Sequence, residues 1–466
     1  MASPHLETSL LNASHLELLG LAARRAVAYL QCLPARRVAP SADAVRDLTH
    51  FADPLPESPP DPQSVIDLLD RVGSPGTVAT AGGRYFGFVN GAALPASVAA
   101  TWLASAWDQN AGMRVMSPVA AALEDVALGW VRDLLGLPPC AGAFVTGATM
   151  ANFTGLAAAR HALLERHGWN VEEDGLFGAP PLTVVVGEEV HVSLLKALAM
   201  LGLGRKRLIR VPVDSQGRMW SGAVPPLDNR TILCLQAGNV NTGAFDPARD
   251  ICRRARDAGA WVHVDGAFGL WAAASPRYRH LTAGFEQADS WATDAHKWPN
   301  VGYDCGIALV RDVRHLRAAM AISAAYLAPG QLREPSHYTP EMSRRARGVE
   351  LWAALRSLGR AGLSGLIERT CSHAHTFAER LREAGYEILN EVVINQVLVS
   401  FGPPQVTRAV IEKVQQDGVC WCGVTEWQGR TAMRISVSSW ATTNTDVEMS
   451  LAAIRRAAEE CGGRPS

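Results

Sequence analysis

WVHVDGAFGLWAAASPRYRHLTAGFEQADSWATDAHKWPN, residues 261–300, contains two short apolar runs that each stop on a polar group. WVHV ends at Asp265, and SWAT ends at Asp294-Ala295-His296-Lys297. A lysine is strongly hydrated and almost never buried without a partner, so its place at the mouth of an apolar run demands either an exit to water or a chemical task. The rest of the chain decides between the two. Over residues 66–325 similar runs alternate with helical segments, the pattern of parallel strands joined by crossover helices. In such an open sheet, ligands bind beyond the carboxyl ends of the strands. AFV is followed by Thr146-Gly147-Ala148-Thr149, LTVVV by Gly187-Glu188-Glu189-Val190-His191, and TILCLQ by Ala237-Gly238-Asn239. Five strand ends therefore bring small or polar groups to one edge.

The flanks read differently. Residues 1–65 hold one amphipathic segment, HLELLGLAARRAVAYLQCL, and then a proline-rich tract from Pro34 to Pro62; such a helix needs another surface to cover its apolar stripe. A Pro- and Gly-bearing stretch, YLAPGQLREPSHYTPEM (326–342), separates the large α/β part from residues 343–466, which read as helices followed by strands of a smaller α+β domain. The length of 466 residues exceeds what one core normally supports. The 44 basic and 45 acidic residues leave a net charge of -1, which gives no footing for nucleic acid or an anionic membrane surface. Arg205-Lys206-Arg207 reads as a surface strand entry. The nine cysteines form no CxxC pair and several lie in apolar runs, the habit of reduced thiols; Cys420-Trp421-Cys422 reads as structural, and no metal is expected. No stretch has the length of uninterrupted apolar sequence that a membrane span needs, and a cytoplasmic address is expected.

Each strand end can be given a task. TGATMANFTGLAAAR (146–160) passes from a strand through small residues into a helix, where free N–H groups, the helix dipole and the Thr149 hydroxyl could hold a phosphate; the same residues could also make an ordinary strand-to-helix turn. The stretch is neither GxGxxG nor GxxxxGK[ST], which argues against a dinucleotide or a nucleoside triphosphate. Asp265 in apolar surroundings requires a cationic partner, and a pyridinium nitrogen would serve. His191 offers a flat ring that could stack on a flat cofactor or could be a half-buried core histidine. A reactive lysine, a carboxylate for a ring nitrogen, a stacking ring and a phosphate-binding helix start are the parts that pyridoxal 5'-phosphate requires, which makes Lys297 a Schiff-base anchor.

The quoted stretch also resembles the group II pyridoxal-phosphate-dependent decarboxylases, the family of aromatic-L-amino-acid and glutamate decarboxylases. The likeness runs from RYFGFVNGAALP (84–95) through SAWDQNAGMRVMSPVAAALEDV and ADSWATDAHKWPNVGYDCGIALVRD to VINQVLVSF and GRTAMRISVSSWATT (429–443). The resemblance implies a type I, aspartate aminotransferase-like fold, with a mostly parallel central sheet flanked by helices and a smaller C-terminal α+β domain. It implies a homodimer with active sites at the subunit interface and the N-terminal segment clasping the partner. Lys297 would form the internal aldimine, Asp265 would pair with the pyridinium nitrogen, Ala267 would lie under the ring and His191 would stack above it. Gly147, Ala148 and Thr149 would bind the phosphate, with Asp294 and His296 adjoining it. Tyr338 is the candidate for protonating the quinonoid carbon, with His191 or water as the alternative. Tyr85, Phe86 and Trp107 fall where the family lines its substrate pocket and favour an aromatic or apolar amino acid; Arg114 could pair with an acidic substrate or be a surface arginine. The implied reaction is decarboxylation of an L-amino acid to its amine. Its rivals are oxidative deamination to an aldehyde, transamination, and a non-catalytic binding protein, the last opposed by the intact Lys297, Asp265 and His191.

Overall fold

The structure, a computed structural model, describes residues 12–322 and 332–463. Its larger sheet has seven strands: β1 (Ala141–Val145), β2 (Thr183–Gly187), β3 (Ile209–Val211), β4 (Thr231–Gln236), β5 (Trp261–Asp265), β6 (Ser290–Asp294) and β7 (Gly306–Val310), in the order β1-β7-β6-β5-β4-β2-β3. β7 runs antiparallel to both of its neighbours, and the other pairings are parallel. The central strands are buried on both faces, which is why TILCLQ and WVHVD read as nearly continuous apolar runs and do not alternate.

Among the described residues ten helices have eight residues or more: α1 (Ala13–Cys32), α2 (Pro95–Trp107), α3 (Pro118–Leu134), α4 (Ala148–Glu165), α5 (Val192–Met200), α6 (Ala248–Asp257), α7 (Val313–Met320), α8 (Arg347–Glu383), α9 (Pro404–Asp417) and α10 (Asn444–Glu460). α4 is rich in alanine and lies against β5, β6 and β7, with α5 and α7 packed on it. Small side chains let it come close to the sheet, and this sets its N-terminus at the carboxyl edge. Beneath the site three tryptophans are fully buried, and each indole N–H has an acceptor: Trp271 on the Asp294 carbonyl, Trp291 on the Phe285 carbonyl and Trp298 on Thr370 Oγ1. Burying such a ring stabilises the fold by about 2–3 kcal/mol, and its paired N–H escapes the desolvation penalty.

The smaller part is a four-stranded antiparallel sheet of β8 (Glu387–Ile388), β9 (Gln396–Ser400), β10 (Gly423–Trp427) and β11 (Arg430–Ser436), in the order β10-β11-β9-β8 and backed by α9 and α10. α8 is interrupted at Gly359, where φ is +59°. Its earlier part, with Leu351, Leu355 and Leu363, joins the core under the large sheet, whereas Phe377 and Leu381 join the core of the small one. Phe86 also belongs to the small core, its ring edge-on to Phe377 at 5.1 Å. The Phe86 amide donates to the Trp421 carbonyl and its carbonyl accepts from the Ser436 amide, both at 2.9 Å. No helix among the described residues is long and apolar enough to cross a membrane.

Candidate active site

Two strand ends and a helix start meet at the carboxyl edge of the large sheet. β5 ends on Asp265, in register with Gln236 of β4 and Ala292 of β6, and β6 ends on Asp294, opposite Gly306 of β7. The chain turns after β6 and places Lys297 Nζ 3.1 Å from Asp294 Oδ2, with the lysine side chain 17% exposed. Lys297 is therefore held by a carboxylate inside the fold and does not run out to water. His296, in the same turn, accepts a hydrogen bond at Nδ1 from the Cys305 amide at 3.1 Å and lies against the ring of Tyr303, centroids 4.3 Å apart.

The start of α4 depends on bare backbone. A Cβ on Gly306 would lie 2.4 Å from Gly147 Cα, so β7 passes this point only because Gly306 has no side chain, whereas a Cβ on Gly147 would point towards His296 and Asp294. No side chain caps α4, and its first-turn N–H groups, at Ala148 and Thr149, have no partner within the helix. Asp294 has its Oδ1 buried without a hydrogen-bond partner, and this oxygen faces the same cradle, 3.7 Å from where a Gly147 Cβ would be. A carboxylate cannot donate to phosphate. Asp294 lies beside this cradle as expected and is also the ion-pair partner of Lys297.

Asp265 ends a chain of buried hydrogen bonds whose direction is fixed by the carboxylate, which can only accept. The Trp261 indole can only donate, and gives Nε1–H to Ser290 Oγ at 2.9 Å. With the Asn152 amide nitrogen turned to Asp265, its Oδ1 accepts from His263 Nε2–H at 2.8 Å, so Nδ1 of the neutral ring accepts from the Ser290 hydroxyl at 2.8 Å. Asn152 Nδ2 then donates to Asp265 Oδ2 at 3.1 Å. Burial pushes the His263 pKa down to about 3, so the ring is neutral. Every dipole in this chain points towards the Asp265 carboxylate. Burial pushes that carboxyl above the ordinary aspartate range, opposed by the nearby His191 ring, the Lys297 ammonium and the Asn152 amide. No basic side chain forms an ion pair with Asp265 among the described residues.

His191 is the N-cap of α5, where its Nδ1 accepts from the Ser193 amide at 3.2 Å. Burial lowers its pKa, leaving a neutral ring with its proton on Nε2. Ala267 follows β5, half-buried, and its carbonyl accepts from the Asp294 amide at 2.9 Å. The small sheet adds a group that sequence reasoning missed: Arg434, on β11. Burial depresses its pKa, its charge acts on both His191 and Tyr85, and no carboxylate pairs with it among the described residues. Its NH1 donates to Asn241 Oδ1 at 3.3 Å. Tyr85 stacks on Trp421 with centroids 5.1 Å apart, and Phe88 leans on the same indole at 5.4 Å. Burial pushes the Tyr85 phenol up to about 12.

Other expected residues lie elsewhere. Phe86 is in the small-domain core, where backbone pairing with Trp421 and Ser436 turns it inward. Arg114 is bound to Asp125 at 2.5 Å, and its amide donates to Glu334 at 2.7 Å, so its guanidinium is already neutralised. Tyr338 is packed in the apolar cluster around α4 and α7 with the Arg333 guanidinium over its ring at 4.6 Å, which places its side chain in that core. Trp107 ends α2 with 42% of its surface exposed. Residues 326–331 of the expected active-site loop lie outside the described residues.

Residues 50–402 match the family model described as pyridoxal-dependent decarboxylase conserved domain. The chain is 26% identical over 441 residues to tryptophan decarboxylase 1 of Oryza sativa subsp. japonica, covering 84% of each. It is 28% identical over 328 residues to an acidic amino acid decarboxylase of Mus musculus, covering 66% of this chain and 58% of that one. It is 28% identical over 369 residues to phenylacetaldehyde synthase of a Rosa hybrid cultivar, covering 72% and 70%. The fold superposes on that of Oryza sativa TDC solved with PLP and tryptamine, with a TM-score of 0.88, 23% identity and 99% of each chain covered. The site fits pyridoxal phosphate on its own terms: a buried carboxylate with no ion-pair partner among the described residues, an uncapped helix start at a glycine, and a lysine amine whose charge acts on that carboxylate.

Proposed function

Since the chain belongs to the pyridoxal-dependent decarboxylase family and uses pyridoxal phosphate, we propose that it removes CO2 from an L-amino acid with an aromatic or apolar side chain and releases the amine. Bound pyridoxal phosphate supplies the electron-accepting ring, and the chain supplies the rest. Lys297 Nζ is the amine that anchors the aldehyde, and Asp294 is its counter-charge. Asp265 holds a proton at the ring nitrogen, and the donor chain from Trp261 keeps the aspartate an acceptor. The N–H groups of Ala148 and Thr149 would hold the phosphate beside Gly147, with His296 next to them, while the neutral His191 would stack on the ring opposite Ala267.

Arg434, a cation with no acid partner among the described residues, takes the substrate carboxylate. The Tyr85–Trp421–Phe88 strip takes an aromatic or apolar side chain, and the neutralisation of Arg114 by Asp125 argues against an acidic one. We further propose that two copies assemble to complete the site, which the exposed Leu16, Leu19, Val27 and Leu30 of α1 support. The observation that carries this reading is the buried meeting of Lys297, Asp265 and His191 beside the start of α4.

The test is a screen of the twenty amino acids for CO2, with amine, ammonia and oxygen followed together. Equal CO2 and amine without oxygen uptake is the expected result; ammonia with oxygen uptake would assign the aldehyde reaction. Lys297→Ala should lose both turnover and cofactor absorbance, and a variant that keeps its absorbance refutes the anchor. With Tyr338 held in the core, Tyr326→Phe is the variant that asks whether the 326–342 stretch supplies the proton. A switch from amine to aldehyde in it, and not in Tyr338→Phe, answers yes.

A further inference from the structure

α4 reaches from the candidate active site to a second cluster at its other end. His161 and Glu165, one turn apart on the same face of α4, meet His315 of α7. The His161 side chain is 9% exposed, and its Nδ1 is paired with Glu172 at 2.6 Å, which turns Nε2 towards the other two groups. Glu165 Oε2 lies 3.7 Å from His161 Nε2 and 3.5 Å from His315 Nδ1. These separations are too long for hydrogen bonds, which close at about 2.7–3.2 Å. They match two ligands on one tetrahedral ion, which at bond lengths of about 2.0–2.2 Å stand about 3.3–3.6 Å apart. All three ligand atoms lie within 4.8 Å of one another.

We propose that His161, Glu165 and His315 bind a divalent cation of the zinc class. Two imidazoles and one carboxylate, with water as the fourth ligand, suit zinc better than the all-oxygen cations. Glu172 on His161 Nδ1 is the outer carboxylate that such a ligand uses to fix its ring and raise its basicity. Around the cluster, Glu165, Glu172 and Asp312 balance Arg160, Arg166 and Arg314, so the imidazoles and not an acidic field would select the ion. His161 is twelve residues beyond Thr149 on one helix, about 18 Å along its axis. The ion would therefore tie α4 to α7 without touching the cofactor.

Holoprotein stripped with EDTA and desalted is titrated with zinc chloride by calorimetry and, separately, with cobalt(II) by visible absorption. The expected result is one zinc per chain with micromolar or tighter affinity, and cobalt bands of four-coordinate intensity without the near-ultraviolet band of thiolate ligation. Zinc should raise the melting temperature of the native protein. Affinity should fall at least about tenfold in His315→Gln and in Glu165→Gln, both chosen because they are not buried, with decarboxylation unchanged. The proposal is overturned by sub-stoichiometric uptake, by affinity unchanged in both variants, or by a thiolate band. It is also overturned if His315→Gln destabilises metal-free protein while zinc has no effect on the native one, which would make the cluster a helix-to-helix hydrogen-bonding staple.

Discussion

A carboxylate sealed at the end of β5 needs a donor on one oxygen and a cation on the other, and Asn152 is the donor. Replacing it with leucine removes a hydrogen bond to a charged group, about 1.5–3 kcal/mol, and lets the Asp265 carboxyl rise further. Asn152→Leu should therefore lower kcat by about 10- to 100-fold, with KM little changed and the cofactor more easily dialysed away. A variant with native kcat and cofactor retention would remove Asn152 from the proton-holding chain. His263 makes the same chain acid-labile. Its folded pKa of about 3 lies below the ordinary histidine value of 6.5, so as pH falls the unfolded chain takes up the proton first. Stability should decline from about pH 6.5 down to about pH 3, with this ring contributing up to about 1.4 kcal/mol per pH unit. Urea unfolding at several pH values should show a shallower acid slope in His263→Gln than in the native protein; equal slopes would mean that the ring does not titrate as its burial requires.

At the scale of elements, strand ends do the positioning, and they were what the sequence made legible. Apolar runs that stop on Asp265, on Asp294 and Lys297, and on Gly147 announce a parallel sheet and its ligand edge together, because burial on both faces forces the run and solvent at the edge ends it. Asn152 could not be read this way, since it sits one turn inside an alanine-rich helix and only the packing of α4 on β5 gives it a task. Arg434 lies mid-strand in the small sheet, and its arrival at the site depends on how the two sheets meet. Arg114 and Tyr338 drew attention by sequence neighbourhood, yet their actual partners, Asp125 and Arg333, come from chain folding. Two glycines separate strain from fit. Gly306→Ala drives a methyl group into the Gly147 backbone at 2.4 Å and should abolish stable cofactor loading, seen as lost absorbance after desalting. Gly359→Ala meets nothing within 4 Å and carries only the backbone penalty of positive φ with extended ψ, so it should cost about 1–3 kcal/mol in urea unfolding with cofactor loading intact. Equal cofactor loading in both variants would contradict the close-approach argument for Gly306.

For the whole molecule, the distribution of apolar surface is the outstanding feature. α1 buries none of its residues, and α2 leaves Trp102, Leu103 and Trp107 more than two-fifths exposed. A soluble chain rarely leaves long apolar helix faces bare, and a second copy over α1 and α2 would cover them in the manner of an obligate dimer. The proline tract after α1 lets this helix lie away from its own core, which the sequence signalled by amphipathicity without saying what it covers. Dimerisation also fits the largest discrepancy at the site. Trp107 was expected to line the substrate pocket and instead faces outward within one chain, a position that a partner subunit would enclose. Leu103→Glu places a charge on the exposed face of α2 without touching the Lys297 turn. It should shift the native molecular mass measured by sedimentation from dimer to monomer, lower specific activity, and make the residual activity rise with protein concentration as subunits reassociate. The same variant running as a dimer with native activity would place the interface elsewhere, and a native chain sedimenting as an active monomer would end the shared-site reading.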